Sequence, residues 1–139
     1  MKIIGTGSAH PTCAVTNQML EQFLETTDEW ITERTGIKER CVISSEHLED
    51  MAVHAANKAL EDAGLTAADI DFLICSNVVN EYVTPALSCI IQGKLGAKCP
   101  TVDINAACAG FIYAMDMADD KLKNLEVNES EVSKKIQDS

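Results

Sequence analysis

The sequence predicts an α/β fold with a parallel core. Three observations carry that prediction. Short apolar runs, most of them β-branched, recur at Lys2-Ile3-Ile4, Phe72-Leu73-Ile74-Cys75 and Thr101-Val102-Asp103-Ile104. Stretches with helical spacing lie between and after them, giving the order β-α-β-α-β-α. Glycines stand where three helical stretches should stop, at Gly36, Gly64 and Gly96.

In chain order, Lys2 to Ile4 reads as a first strand that turns at Gly5-Thr6-Gly7. Gly5-x-Gly7 opens like a dinucleotide-binding fingerprint. His10 stands where its third glycine belongs and no helical pattern starts there, so that reading is discarded. Asn17 to Leu24 reads as a short helix. Thr26 with Glu29 makes a capping-box pattern for a second helix, ended by Gly36. Leu48, Met51, Ala52, Ala55, Ala56, Ala59, Leu60 and Ala63 trace one helical stripe, closed by Gly64. Phe72 to Cys75 is apolar throughout, as a strand buried on both faces would be. Pro85 is placed as the first residue of the next helix, with Leu87, Ile90, Ile91 and Leu95 inward and Gly96 as its cap. The Thr101 strand follows, then a run of small residues, Cys108, and an amphipathic stretch from Phe111 to Ala118.

Composition limits the function. A chain of 139 residues is one ordinary domain, able to bury roughly two-thirds of its unfolded surface. Hydrophobic residues at 46% and charged residues at 24% fit a globular protein. The net charge of −11 argues against nucleic acid and against anionic membrane surfaces as partners. It leaves room for an anionic ligand, because a local Arg/Lys cluster can override the global field. The six cysteines form no C-x-x-C pair and the three histidines no zinc pattern, so no metal site is expected. No signal-peptide pattern opens the chain, and the longest apolar run is far below a membrane span. Reduced thiols in a cytoplasm are therefore expected.

The segment richest in chemistry is Asp103-Ile104-Asn105-Ala106-Ala107-Cys108-Ala109-Gly110-Phe111. It reads as a strand, a tight turn and a helix, with Cys108 at the helix N-terminus. Unpaired N–H groups and a partial positive charge there favour thiolate, with a pKa of roughly 3.5–7.5 against about 8.5 for a free cysteine. The small flanking residues let a substrate carbonyl come close. A lone cysteine among apolar residues is most often a small buried core residue, and the segment taken alone does not overturn that default.

Asp103 to Phe111 resembles the active-site segment of the beta-ketoacyl-ACP synthase III family, within the thiolase-like superfamily. Thr26 to Arg40 is similar to that family's coenzyme A-binding stretch, and Ile3 to Ser8 and Pro85 to Gly96 match as well. The likeness runs from Met1 to about Ala118. It implies a fold of two similar halves, of which this chain is an incomplete N-terminal half. It implies a decarboxylating Claisen condensation that starts type II fatty acid synthesis, with acetyl-CoA as substrate and no further cofactor. Acyl carrier protein would be the partner and a homodimer the assembly. By the resemblance Cys108 accepts the acyl group. Trp30 stacks on the adenine, Arg34 sits near the phosphates, Thr26 bonds the base, and Thr84 lines the acyl pocket of the partner subunit. Read without the family, Trp30 and Arg34 are first a surface tryptophan covered by an arginine stem, with Arg34 paired to acids such as Asp28 or Glu33; alongside the Cys108 segment, cofactor binding is favoured. The family's catalytic His and Asn come from its C-terminal half. His10, His47 and His54 are read as ordinary surface or half-buried residues.

The stretch from Asp119 to Ser139 is polar where the family continues with a hydrophobic strand. The expected organisation is a half-domain over 1–118 and a divergent polar tail over 119–139, with Asn128 and Glu131 able to cap a short helix. The leading expectation is an N-terminal fragment of such a synthase, not competent for condensation alone. Rival readings are a non-catalytic truncated product that binds CoA or a partner, and a sibling acyltransferase such as a hydroxymethylglutaryl-CoA synthase.

Overall fold

A computed structural model describes the backbone of residues 1–137 and the side chains of residues 1–124. Two small sheets organise it. Cys13–Thr16 (β1) pairs antiparallel with Glu39–Val42 (β2), with Cys13 opposite Val42 and Thr16 opposite Glu39. Between them lie Asn17–Leu20 (α1) and Asp28–Thr35 (α2). Leu48–Ala63 (α3) follows. Leu73–Ser76 (β3) then pairs parallel with Thr101–Ile104 (β4), with Leu73 opposite Thr101 and Ser76 opposite Ile104. Leu87–Leu95 (α4) makes the crossover, and a 3₁₀ turn at Ala107–Ala109 leads into Gly110–Gln137 (α5).

The architecture is α/β with a parallel pair at its centre, as the sequence implies. The core sits where α4 meets β4: Leu87, Ile91, Ala97 and Cys99 are all below a tenth exposed. The inward stripe of α3 is only half-buried, against α4. Gly36, Gly64 and Gly96 end α2, α3 and α4 in the left-handed conformation, with φ of 72°, 69° and 74°. A Cβ is disfavoured at such φ, and each glycine N–H returns to a carbonyl of the last turn.

Several local expectations are corrected. Lys2 to Ile4 is not a strand, and Ile3 and Ile4 are about 60% exposed. β-propensity alone does not make a strand without a partner edge, and none pairs with it among the described residues. Instead the segment lies along α3. Thr6 N–H donates to Asp62 at 2.9 Å and Lys58 donates to the Ser8 carbonyl at 3.1 Å. Gly5 and Gly7 approach the α3 backbone so closely that a Cβ would overlap the carbonyl oxygens of Ala59 and Ala55. The helix expected over Asn17 to Leu24 stops at Leu20.

Pro85 does not open α4. That helix begins at Leu87, because the Asp103 carboxylate on β4 takes the Leu87 N–H at 3.0 Å and the Ser88 N–H at 2.8 Å. β3 is half-buried rather than buried on both faces. α5 does not stop near Ala118, and no separate helix starts at Asn128, since its backbone is continuous through Gln137. Asp119 accepts from the Met1 ammonium at 2.8 Å, joining the chain start to α5. The side chains of the 125–139 stretch lie outside the described residues.

Candidate active site

The turn that carries Cys108 is built at the carboxyl ends of β3 and β4, where ligands of parallel α/β sheets characteristically bind. Asn77 N–H donates to the Ile104 carbonyl at 3.1 Å, and Asn105 donates its side-chain amide to the Val78 carbonyl at 3.4 Å. These bonds hold the two strand exits side by side. Gly110 is buried against Ser76, and a Cβ there would overlap the Ser76 hydroxyl. Between these anchors Ala107 is forced to a φ of 44°, a left-handed value that a Cβ disfavours. Strain held at one residue by well-anchored flanks is characteristic of functional turns. Cys108 follows it, exposed to solvent in the 3₁₀ turn that abuts α5. It is therefore not a core cysteine. The helix expected to start at Cys108 starts at Gly110 instead.

Asp103 sits at the base of this turn and was not singled out by the sequence reading. Besides capping α4, it accepts from the Asn77 side chain at 3.0 Å. Burial pushes its carboxyl up, but the hydrogen bonds from Ser88, Asn77 and Leu87 outweigh that and hold it below the ordinary aspartate range. One carboxylate thus ties β4, the β3 exit and the start of α4 together. A polar residue inside an apolar strand run is the signal that marks it.

Thr26, Trp30 and Arg34 fall together on and just before α2. The cap is Thr27, not Thr26: its hydroxyl accepts from the Trp30 N–H at 3.1 Å. Thr26 is left with a buried hydroxyl that has no hydrogen-bond partner among the described residues. It lines an open cleft of about 570 Å³ with Leu24, Glu25, Thr27 and Trp30. Trp30 is 54% exposed, and the Arg34 guanidinium lies over its ring, 4.9 Å from the centroid. Arg34 makes no salt bridge to Asp28 or Glu33 among the described residues. Asp28 instead accepts from Asn17.

Asn17 positions this whole segment, and the sequence reading missed it. It is fully buried. Its amide donates to Asp28 at 2.7 Å, to Thr32 at 3.3 Å and to the Ile37 carbonyl at 2.8 Å, while its oxygen accepts from Arg40 at 2.6 Å. α2 is thereby fixed to β1 and β2. A lone Asn in an otherwise ordinary helix start gives no sequence signal of this role.

The histidines lie elsewhere. His10, His47 and His54 line a cavity of about 460 Å³ with Ser8, Glu46 and Lys58, and Cys108 is not part of its wall. His10 Nδ1 lies 3.8 Å from the Cys41 sulfur. No helix among the described residues is long and apolar enough to cross a membrane.

Comparison with known proteins agrees with this fold. The family model described as thiolase, N-terminal domain, matches residues 31–130. Beta-ketoacyl-[acyl-carrier-protein] synthase III of Clostridium perfringens (strain SM101 / Type A) is 50% identical over 117 residues, covering 84% of this chain and 36% of that protein. Beta-ketoacyl-[acyl-carrier-protein] synthase III 1 of Vibrio vulnificus (strain YJ016) is 46% identical over 124 residues, 88% of this chain and 39% of its own length. The crystal structure of 3-oxoacyl-[acyl-carrier-protein] synthase III from Aquifex aeolicus VF5 superposes with a TM-score of 0.85 at 44% identity, over 88% of this chain and 40% of that one. The chain thus spans well under half the length of the relatives it matches.

Proposed function

The chain belongs to the thiolase N-terminal-domain family and matches the N-terminal part of beta-ketoacyl-ACP synthases III, and from that premise we propose that it carries the acyl-accepting part of such an initiating condensing enzyme. The observation that carries the reading is the exposed Cys108 on a strained, doubly anchored turn at the exits of parallel strands. The Cys108 thiolate attacks the thioester carbonyl of an acyl-CoA, acetyl-CoA by the family resemblance. The carbonyl oxygen becomes an oxyanion, with the Cys108 N–H as one donor, a kind of contact worth about 3–4 kcal/mol. Collapse of the tetrahedral adduct expels the CoA thiolate and leaves acyl-Cys108. Thr26, Trp30 and Arg34 receive the CoA: an indole face for the adenine, a guanidinium for phosphate, and a hydroxyl with no protein partner for the base. The Trp30 and Arg34 pair favours a synthase III over a hydroxymethylglutaryl-CoA synthase.

In the proposed setting, a cytoplasmic homodimer, acyl carrier protein delivers the malonyl unit. By the resemblance the family's catalytic His and Asn come from its C-terminal half, and among the described residues none of His10, His47 and His54 stands at the Cys108 turn: they line a separate cavity. The 139 residues are therefore expected to accept an acetyl group without condensing it. Incubation with acetyl-CoA and peptide mass spectrometry tests this. One acetyl group on Cys108, none in Cys108→Ala, and no acetoacetyl-ACP on adding malonyl-ACP is the expected result. Acetylation spread equally over Cys13, Cys41 and Cys89 would overturn it.

A further inference from the structure

We propose that His47, Glu49 and Glu81 form a site for a divalent first-row transition metal that ties the loop between β3 and α4 to the start of α3. His47 immediately precedes α3, and its ring makes no capping hydrogen bond. Glu49 lies in the first turn of that helix, and Glu81 comes from the loop. One ligand atom from each lies within 4.8 Å of the other two. Tetrahedral coordination at about 2.0–2.2 Å places donors roughly 3.4 Å apart, so side-chain rotation of about an ångström closes the site. His47 and Glu81 are exposed; one Glu81 oxygen accepts from the Tyr82 hydroxyl at 3.2 Å and the other is left for the metal, with water filling the remaining positions. An imidazole with two carboxylates suits Zn²⁺, Co²⁺ or Mn²⁺ rather than Ca²⁺ or Mg²⁺, which take oxygen alone. Lys94 lies 3.4 Å from Glu49 but is also paired with Asp50, and it keeps that partner when Glu49 turns to the metal.

The loop supplies an independent reason for a tether. Among the described residues, positions 79–85 make no hydrogen bond to any other element; Tyr82 bonds only its neighbour Glu81. Val79 is 75% exposed and Val83 fully so. Within this chain, and among the described residues, a metal held by Glu81 and α3 would be the one polar restraint that ties this stretch to another element. No spacing motif announces the site, because its donors come from segments more than thirty residues apart.

The test uses the full chain with thiols reduced. Co²⁺ is titrated and followed by visible absorption, and Zn²⁺ by calorimetry. Expected are one Co²⁺ bound without a thiolate charge-transfer band, and affinity roughly tenfold weaker or more in Glu81→Gln and in His47→Ala. Chymotryptic cleavage after Tyr82 should slow with metal in the parent and not in Glu81→Gln. Both substituted side chains are exposed, and circular dichroism checks that each variant stays folded. No binding by about millimolar Co²⁺ would overturn the proposal. So would a thiolate-type spectrum unchanged in both variants, which would point to Cys41 and His10, or unaltered cleavage after Tyr82.

Discussion

At the scale of single residues, the two halves of the candidate site differ in what anchors them. Cys108 is held by its neighbours: Gly110 against Ser76 and a strained Ala107 leave its sulfur open. Among the other cysteines, Cys99 is buried, and burial pushes the Cys75 thiol up. Native-state alkylation with peptide mapping should therefore label Cys108 well before Cys75 and Cys99; equal labelling of Cys75 would contradict the nucleophile assignment. Thr26 is the opposite case, a hydroxyl buried with no partner. Such a group is a liability in the free protein, costing about 1–3 kcal/mol where its partner is missing. Thr26→Val should leave the stability unchanged or raise it, while weakening CoA binding. Trp30 is the sole tryptophan, so quenching of its fluorescence by CoA reads that binding directly. A Val variant that binds CoA as well as the parent would show that the hydroxyl meets no ligand.

At the scale of elements, two buried polar residues do the positioning. Asn17 fixes α2 to the β1–β2 pair with four side-chain hydrogen bonds. Asn17→Ala would leave Arg40 and the Ile37 carbonyl short of a partner, and a loss of about 1–3 kcal/mol in urea unfolding is expected. Its CoA-dependent quenching should fall too, since Trp30 and Arg34 ride on α2. Asp103 caps α4 from a neighbouring strand, and its folded pKa is depressed. The stability it contributes is thus present above the ordinary aspartate value of about 3.9 and lost as pH falls below it. Asp103→Asn should cost about 0.5–2 kcal/mol at pH 7 and flatten the acid limb of a stability–pH profile. An acid limb identical to the parent's would place the titrating group elsewhere. Gly5 tests the N-terminal segment. Gly5→Ala would drive a methyl into the α3 backbone, and a loss of about 1–3 kcal/mol is expected by the same unfolding measurement.

For the whole molecule, much apolar surface lies open among the described residues. Ile3, Ile4, Phe111, Ile112 and Tyr113 are all more than half exposed, and among the described residues the buried apolar core is Leu87, Ile91, Ala97 and Cys99. Each such side chain is worth roughly 1.5–3 kcal/mol when buried, against a total margin of about 5–15 kcal/mol for a domain. The isolated chain is therefore expected to be weakly stable and to self-associate, with its charge of −11 keeping some of it in solution. Size exclusion with light scattering and a thermal melt decide the matter. A monomer that melts cooperatively above about 60 °C would refute the expectation.

Which strands pair came from the structure, while the sequence by itself determined the α/β class with a parallel core, the three glycine helix ends and the turn around Cys108. Those features follow from local rules: hydrophobic period, left-handed caps and a run of small residues between strand and helix. Tertiary structure alone decided that Lys2 to Ile4 is no strand, because a strand exists only against a partner edge. It decided that α4 begins at Leu87 and not at Pro85, because the capping carboxylate comes from another strand. It decided that β1 and β2 pair, which four-residue exposed segments do not announce. Asn17, Asp103 and the trio of His47, Glu49 and Glu81 belong to the same class. Their meaning lies in groups brought together from distant positions, and no periodicity or spacing along the chain records that.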